Sequence, residues 1–208
     1  MSSPPLSPYW QSWSDRARTR AAAGWPEMID GLRALQDEVA ATSPPPAVVD
    51  AVGALMDQAR ALLSAHRVDS ADQLFGRFFE IPGRGQTLAP PLYIVDAGAH
   101  HLTCETTFGP FHSGHAAAHG GAIALFFDEV FGRLVDAGDR PPSRTAYLHL
   151  DYRSVTPIDE PVTLHAEIVH EADRKREVAG VLRRGNRICA EGRGLFVALR
   201  PDRGRSTA

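Results

Sequence analysis

The segment Phe108–Val135, FGPFHSGHAAAHGGAIALFFDEVFGRLV, decides the fold of this 208-residue chain. Its first half is a loop of Gly, Ala and His, and its second half is one amphipathic helix. From Ile123, large apolar residues recur at Phe126, Phe127, Val130, Phe131 and Leu134, which is the spacing of one helical face, so that face is core. Further round the axis, at ~100° per residue, runs a second stripe of Gly121, Leu125, Asp128 and Gly132. Small residues there let another backbone come close, and Asp128 is the stripe's only charge. At the helix mouth stand His119, Gly120 and Gly121. Paired glycines cost helix propensity and are explained by a sharp turn that approaches a ligand closely. The free N–H groups and partial positive charge of a helix start suit an oxyanion, or a carbonyl becoming one.

Everything after this helix reads as antiparallel sheet. Thr145–Arg153 alternates, with Leu148, Leu150 and Tyr152 opposite Tyr147, His149 and Asp151. The next strand sends Val162, Leu164, Ala166 and Ile168 inward and Thr163, His165 and Glu167 outward. Turns at Asp173-Arg174 and Arg184-Gly185-Asn186 join it to Glu177–Arg183 and Arg187–Leu199. Before the helix, Leu92–Asp96 and His101–Phe108 flank the turn Asp96-Ala97-Gly98-Ala99. The order is therefore two strands, one helix, four strands.

The chain begins differently. Residues 1 to about 12 are rich in Pro and Ser and are expected to be loosely ordered. A helix is expected over Ser14–Ala40, with Ile29, Leu32, Leu35 and Val39 as its apolar stripe, and another over Ala47–Ala65 after Pro44-Pro45-Pro46. Both must bury their faces on the main domain or on a partner subunit, by simple packing or as a lid over a binding pocket. Gly83–Pro91 looks like a linker. The expected organisation is an N-terminal helical extension over 1–75, a main domain over 76–200 and a disordered tail over 201–208.

Composition narrows the function. With 43% hydrophobic residues the chain can build a core, and a net charge of −3 with pI near 6.3 argues against nucleic acid or a membrane surface as partner. Cys104 and Cys189 sit in strand-like runs and form neither a disulfide scaffold nor a CxxC metal motif, so they read as small buried thiols. No apolar run reaches about eighteen residues, and MSSPPLSPYW lacks a signal-peptide pattern, so a cytoplasmic protein without membrane insertion is expected.

The His119-Gly120-Gly121 turn opening the helix, with Asp128 about nine residues beyond the His, resembles the hotdog-fold thioesterases of the phenylacetate-degradation (PaaI-like) type. Gly83–Leu92 and the Asp128-Glu129 pair are in character, and the likeness runs from about Gly83 to Leu199. The resemblance implies an α+β hotdog fold, an antiparallel sheet wrapped around one central helix. It implies hydrolysis of an acyl-CoA without a further cofactor, in a homodimer or a dimer of dimers. By the same resemblance, Gly121 N–H contacts the oxyanion, His119 shapes the turn or touches the thioester, and Asp128 is general base or nucleophile.

One consequence can be argued from geometry. Asp128 lies seven residues from Gly121, about 10 Å of helix rise, too far for its side chain to reach a carbonyl held at its own helix start. A site using both therefore draws Asp128 from a second subunit. Glu129, off the glycine stripe, reads as surface or as support for the site. His112 and His115, with Gly120, are read as contacts for the substrate. The spacing of His112, His115 and His119 also suits a metal, but no Cys or carboxylate accompanies them in the loop. Arg153, Arg144, Arg174, Lys175 and Arg176 are candidates for coenzyme A phosphates. Tyr93, Tyr147 and the helix phenylalanines are candidates for an acyl tunnel, or for core.

Where the family carries a Glu-Gly-Pro-Pro-Gly-like run, this chain reads His112-Ser113-Gly114-His115-Ala116. That departure keeps an acyl-CoA-binding protein without hydrolysis as an alternative. A second alternative is a hydroxyacyl-thioester dehydratase using His115 and Glu129.

Overall fold

The computed structural model describes residues 6–200. Three helices come first: α1 (Pro8–Arg20), α2 (Trp25–Ala41) and α3 (Pro46–Ser64). Then follow β1 (Tyr93–Ala97), β2 (His101–Thr107), α4 (Gly120–Val135), β3 (Ser143–Tyr152), β4 (Pro161–Ala172), β5 (Lys175–Arg184) and β6 (Arg187–Ala198). The strands make one antiparallel sheet in the order β1-β2-β4-β5-β6-β3. This is the predicted succession, and β3 and β1 are its edges.

Helix α4 packs on β2 through β6. Phe126, Phe127, Val130 and Phe131 are fully buried, as the 3.6-residue period requires. Burying side chains of this size stabilises by about 1.5–3 kcal/mol each. The strands opposite make room by omitting side chains. A Cβ on Gly192 would stand 2.6 Å from the Phe127 ring, and one on Gly180 would stand 2.7 Å from that of Phe131. The helix phenylalanines are thus core, whereas Tyr93 and Tyr147 are half-exposed, so they do not combine into a tunnel.

The N-terminal segment differs from expectation. Residues 6–12 are not loose: Leu6 bridges to Ala137, Ser7 is buried, and α1 starts at Pro8. The tail 201–208, like residues 1–5, lies outside the described residues. The single helix expected over Ser14–Ala40 is two helices, broken around Gly24, with Pro26 in the first turn of α2. Helix α2 docks by Ile29, Arg33 and Asp37, whereas α3 buries no residue on the rest of the described chain. The Gly83–Pro91 stretch is no linker: Gly83, Gly85, Gln86, Thr87, Ala89 and Pro90 are buried. Its turn runs through positive φ at Gly83, Arg84 and Gly85, which the two glycines make affordable.

Candidate active site

The loop before α4 folds back as a miniature hairpin. Ser113 bridges to Ala118, and the tip residues His115 and Ala116 have φ of 57° and 63°. Two bonds fasten its base: Ala118 N–H donates to Thr156 O at 2.9 Å, and His119 N–H to His112 O at 2.7 Å. His119 is then the N-cap, its Nδ1 accepting the Gly121 N–H at 3.0 Å. In that bond the imidazole occupies the position where a substrate oxygen would meet Gly121. Tyr152 Oη, at the end of β3, donates to Gly120 O at 2.8 Å and ties the helix mouth to the sheet.

Asp128 is exposed on α4 and accepts a hydrogen bond from Thr145 Oγ1 at 2.8 Å. No cation pairs with it among the described residues. Its neighbour Glu129 is the opposite case and corrects the reading of it as surface. Glu129 is 8% exposed, with Arg84 at 2.6 Å and Arg133 at 3.0 Å, so its charge is already neutralised. The left-handed backbone at Arg84 is what directs that guanidinium toward α4. Both carboxylates line a cleft of about 500 Å³ between α1, α4 and the start of β3.

His112 is half-buried against Phe108 and Phe111, its Nε2 lacks a partner among the described residues, and burial holds its pKa below the ordinary imidazole value. His115 is exposed at the hairpin tip. Among the described residues no three metal-ligating side chains come together, so His112, His115 and His119 do not converge. Within one chain His115 and Glu129 are not partnered: His115 is at the exposed hairpin tip and Glu129 is held by Arg84 and Arg133.

The arginines divide. Arg153 lies on the face of the sheet away from α4, with Glu191 at 2.6 Å and Asp151 at 3.4 Å. Arg174 donates to Ala198 O at 2.8 Å, and Arg176 is buried, bonded to Val135 O and Pro141 O. These two and Lys175 lie at the far end of α4 from Gly121. They can meet a ligand at a Gly121 site only from a second subunit, and the Arg176 guanidinium is committed to structure. Sequence reading missed Thr145, Tyr152, Arg84 and Arg133, because a partner across the fold leaves no local periodicity.

A sequence model of the thioesterase superfamily matches residues 115–191. A solved thioesterase superfamily protein superposes with a TM-score of 0.71 at 26% identity, covering 86% of this chain and 96% of its own. This is the hotdog fold, and residues 115–191 resemble the thioesterase superfamily.

Such a share exceeds what the hotdog domain alone supplies, so that relative also matches part of the N-terminal helical region. A Streptococcus mutans protein bound to acetyl-CoA shares the hotdog at a TM-score of 0.51 and 14% identity, over 54% of this chain and 92% of its own. AziG of S. sahachiroi does so at 0.50 and 18%, over 52% and 91%. None of the curated proteins matches the sequence. No described helix is long and apolar enough to cross a membrane.

Proposed function

We propose that this hotdog protein hydrolyses an acyl-CoA thioester to the free acid and coenzyme A, in the manner of the PaaI-like branch. The observation that carries this reading is Asp128, an exposed carboxylate without a cation, aimed by Thr145 from the helix whose start presents Gly121 N–H. A hydrolase needs a donor where negative charge develops and a carboxylate to activate water or to attack. Displacing His119 Nδ1 from Gly121 N–H gives the thioester oxygen its donor. The thioester C–S bond breaks, the acyl carbon gains the water oxygen, and the thiolate leaves with the water's proton. The acetyl-CoA bound by the S. mutans relative favours the same ligand class here.

The two groups act together only across two subunits, and β3 offers the means. It is a ten-residue edge strand without a neighbour on its outer side among the described residues. Asp128 is tied to Thr145, and Gly120 to Tyr152, at opposite ends of this strand. An antiparallel pairing of two β3 strands about a two-fold near Leu148 and His149 brings Thr145 of one beside Tyr152 of the other. Each dimer then holds two sites, in a protein working in the cytoplasm. The test is coenzyme A release from a panel of acyl-CoAs, wild type beside Asp128→Asn. A fall in kcat of ~10² or more with binding retained is expected. Near-normal turnover by the variant would remove Asp128 from the mechanism.

A further inference from the structure

The cleft beside Asp128 continues along α4, past Gly132 to Asp136 and Ala137, with α1 as its outer wall. Its far end is shut. Leu6 bridges to Ala137, and the Trp10 indole N–H donates to Asp136 Oδ2 at 2.8 Å. Trp10 packs on Phe79 with ring centroids 5.4 Å apart, so the closing wall is a pair of fastened aromatic rings. Midway, Gly132 leaves open space where a side chain would project, since a Cβ there meets no atom of the described residues within 4 Å.

Apart from Asp128 at the mouth and Arg144, which donates to Ser143 O, the charged groups of the lining are already engaged. Glu129 lies between Arg84 and Arg133, Glu80 accepts from Ser14 and pairs with Arg18, and Asp136 accepts from Trp10 and Ser143. Between these groups the cleft offers a ligand the apolar side chains Leu6, Trp10, Phe79, Ile94 and Phe196. We propose that this cleft receives an apolar acyl group and that α1 limits its length, with Trp10 as the stop and Gly132 as the space the chain passes through. The proposal rests on the thioesterase reading and adds which subunit supplies what. The thioester is held at the helix mouth of one protomer, and its acyl group runs from Asp128 into the cleft of the other.

Nine residues from Asp128 to Ala137 give about 14 Å of helix rise. An extended chain advances ~1.2 Å per bond, as three backbone bonds span about 3.6 Å, so the cleft takes up to about eleven carbons. Medium-length chains and single aromatic rings fit, and long fatty acyl chains do not.

The experiment measures binding of graded S-alkyl thioether analogues of acyl-CoA, which cannot be hydrolysed, beside coenzyme A release from the matching thioesters. In the wild type both optima are expected at about eight to ten carbons, with a loss of at least about tenfold by sixteen. Gly132→Leu shortens the accepted chain, weakening the decanoyl analogue about tenfold while the acetyl one stays within about threefold. Gly132→Ala does the same more mildly and folds at least as well, because alanine is the better helix former. Trp10→Ala admits the longer chains. One unchanged length profile in the wild type and all three variants overturns the proposal while leaving hydrolysis in place. Graded binding without coenzyme A release overturns the hydrolase reading and upholds the pocket.

Discussion

Asp128 and Glu129 are adjacent acids with opposite fates, and the difference lies in what faces each. Glu129 is enclosed with two guanidiniums, and removing it would strand buried positive charge. Among the described residues, Asp128 has a single hydroxyl donor and a cleft before it. Thr145→Val keeps the shape and deletes that donor, which is worth about 0.5–1.5 kcal/mol. It is expected to lower kcat up to about tenfold with KM and melting temperature nearly unchanged. A lowered melting temperature with normal kcat would make the bond purely structural. His112 supplies a pH dependence. Burial lowers its folded pKa, so between that value and the unfolded value of about 6.5 the unfolded chain binds the extra proton. Stability from this group is therefore complete above about pH 6.5 and is lost as pH falls toward the folded pKa. Urea midpoints between pH 7 and 5 should show that slope, and His112→Phe, which retains the packing on Phe108 and Phe111, should flatten it.

At the scale of elements, the helix was legible because its six apolar positions keep one period, and the strand succession because alternation and turn chemistry agree. Of the candidate site, only the local part can be read from the sequence: His119, Gly121 and Asp128 belong to one helix and its cap. Its supports were hidden by a bulge. Thr145 and Tyr152 are seven residues apart and would face opposite sides of a regular strand. The register shift between Thr145 and Tyr147 turns both toward α4. The loop before the helix has its own irregularity. His115 and Ala116 both take positive φ, at the two tip positions where Asn-Gly is favoured. A residue with a Cβ pays about 1–2 kcal/mol there. Ala116→Gly is thus expected to stabilise the protein by about 1 kcal/mol in urea unfolding; unchanged or lowered stability would mean that the tip is held by its surroundings rather than strained.

For the whole molecule, the separation of Gly121 from Asp128 is the constraint that everything else must satisfy. A helix is rigid, and neither a side-chain rotation nor a loop movement within one chain removes about 10 Å of rise. For the proposed two-subunit site, the consequence is complementation between two inactive variants. Asp128→Asn removes the acid, and Gly121→Pro removes the donor at a position in the first helical turn, where proline is tolerated. Either homodimer should be nearly inactive. In a heterodimer, one site combines the intact Asp128 of one chain with the intact Gly121 of the other, and the second site carries both lesions. Equal amounts, dissociated and reassembled at random, give half heterodimers with one working site each, so about a quarter of wild-type activity should return. A shared site requires this recovery, and a site within one chain forbids it. Activity that stays at the level of the separate variants after demonstrated subunit exchange would therefore place the chemistry inside a single protomer and remove the dimer from the mechanism.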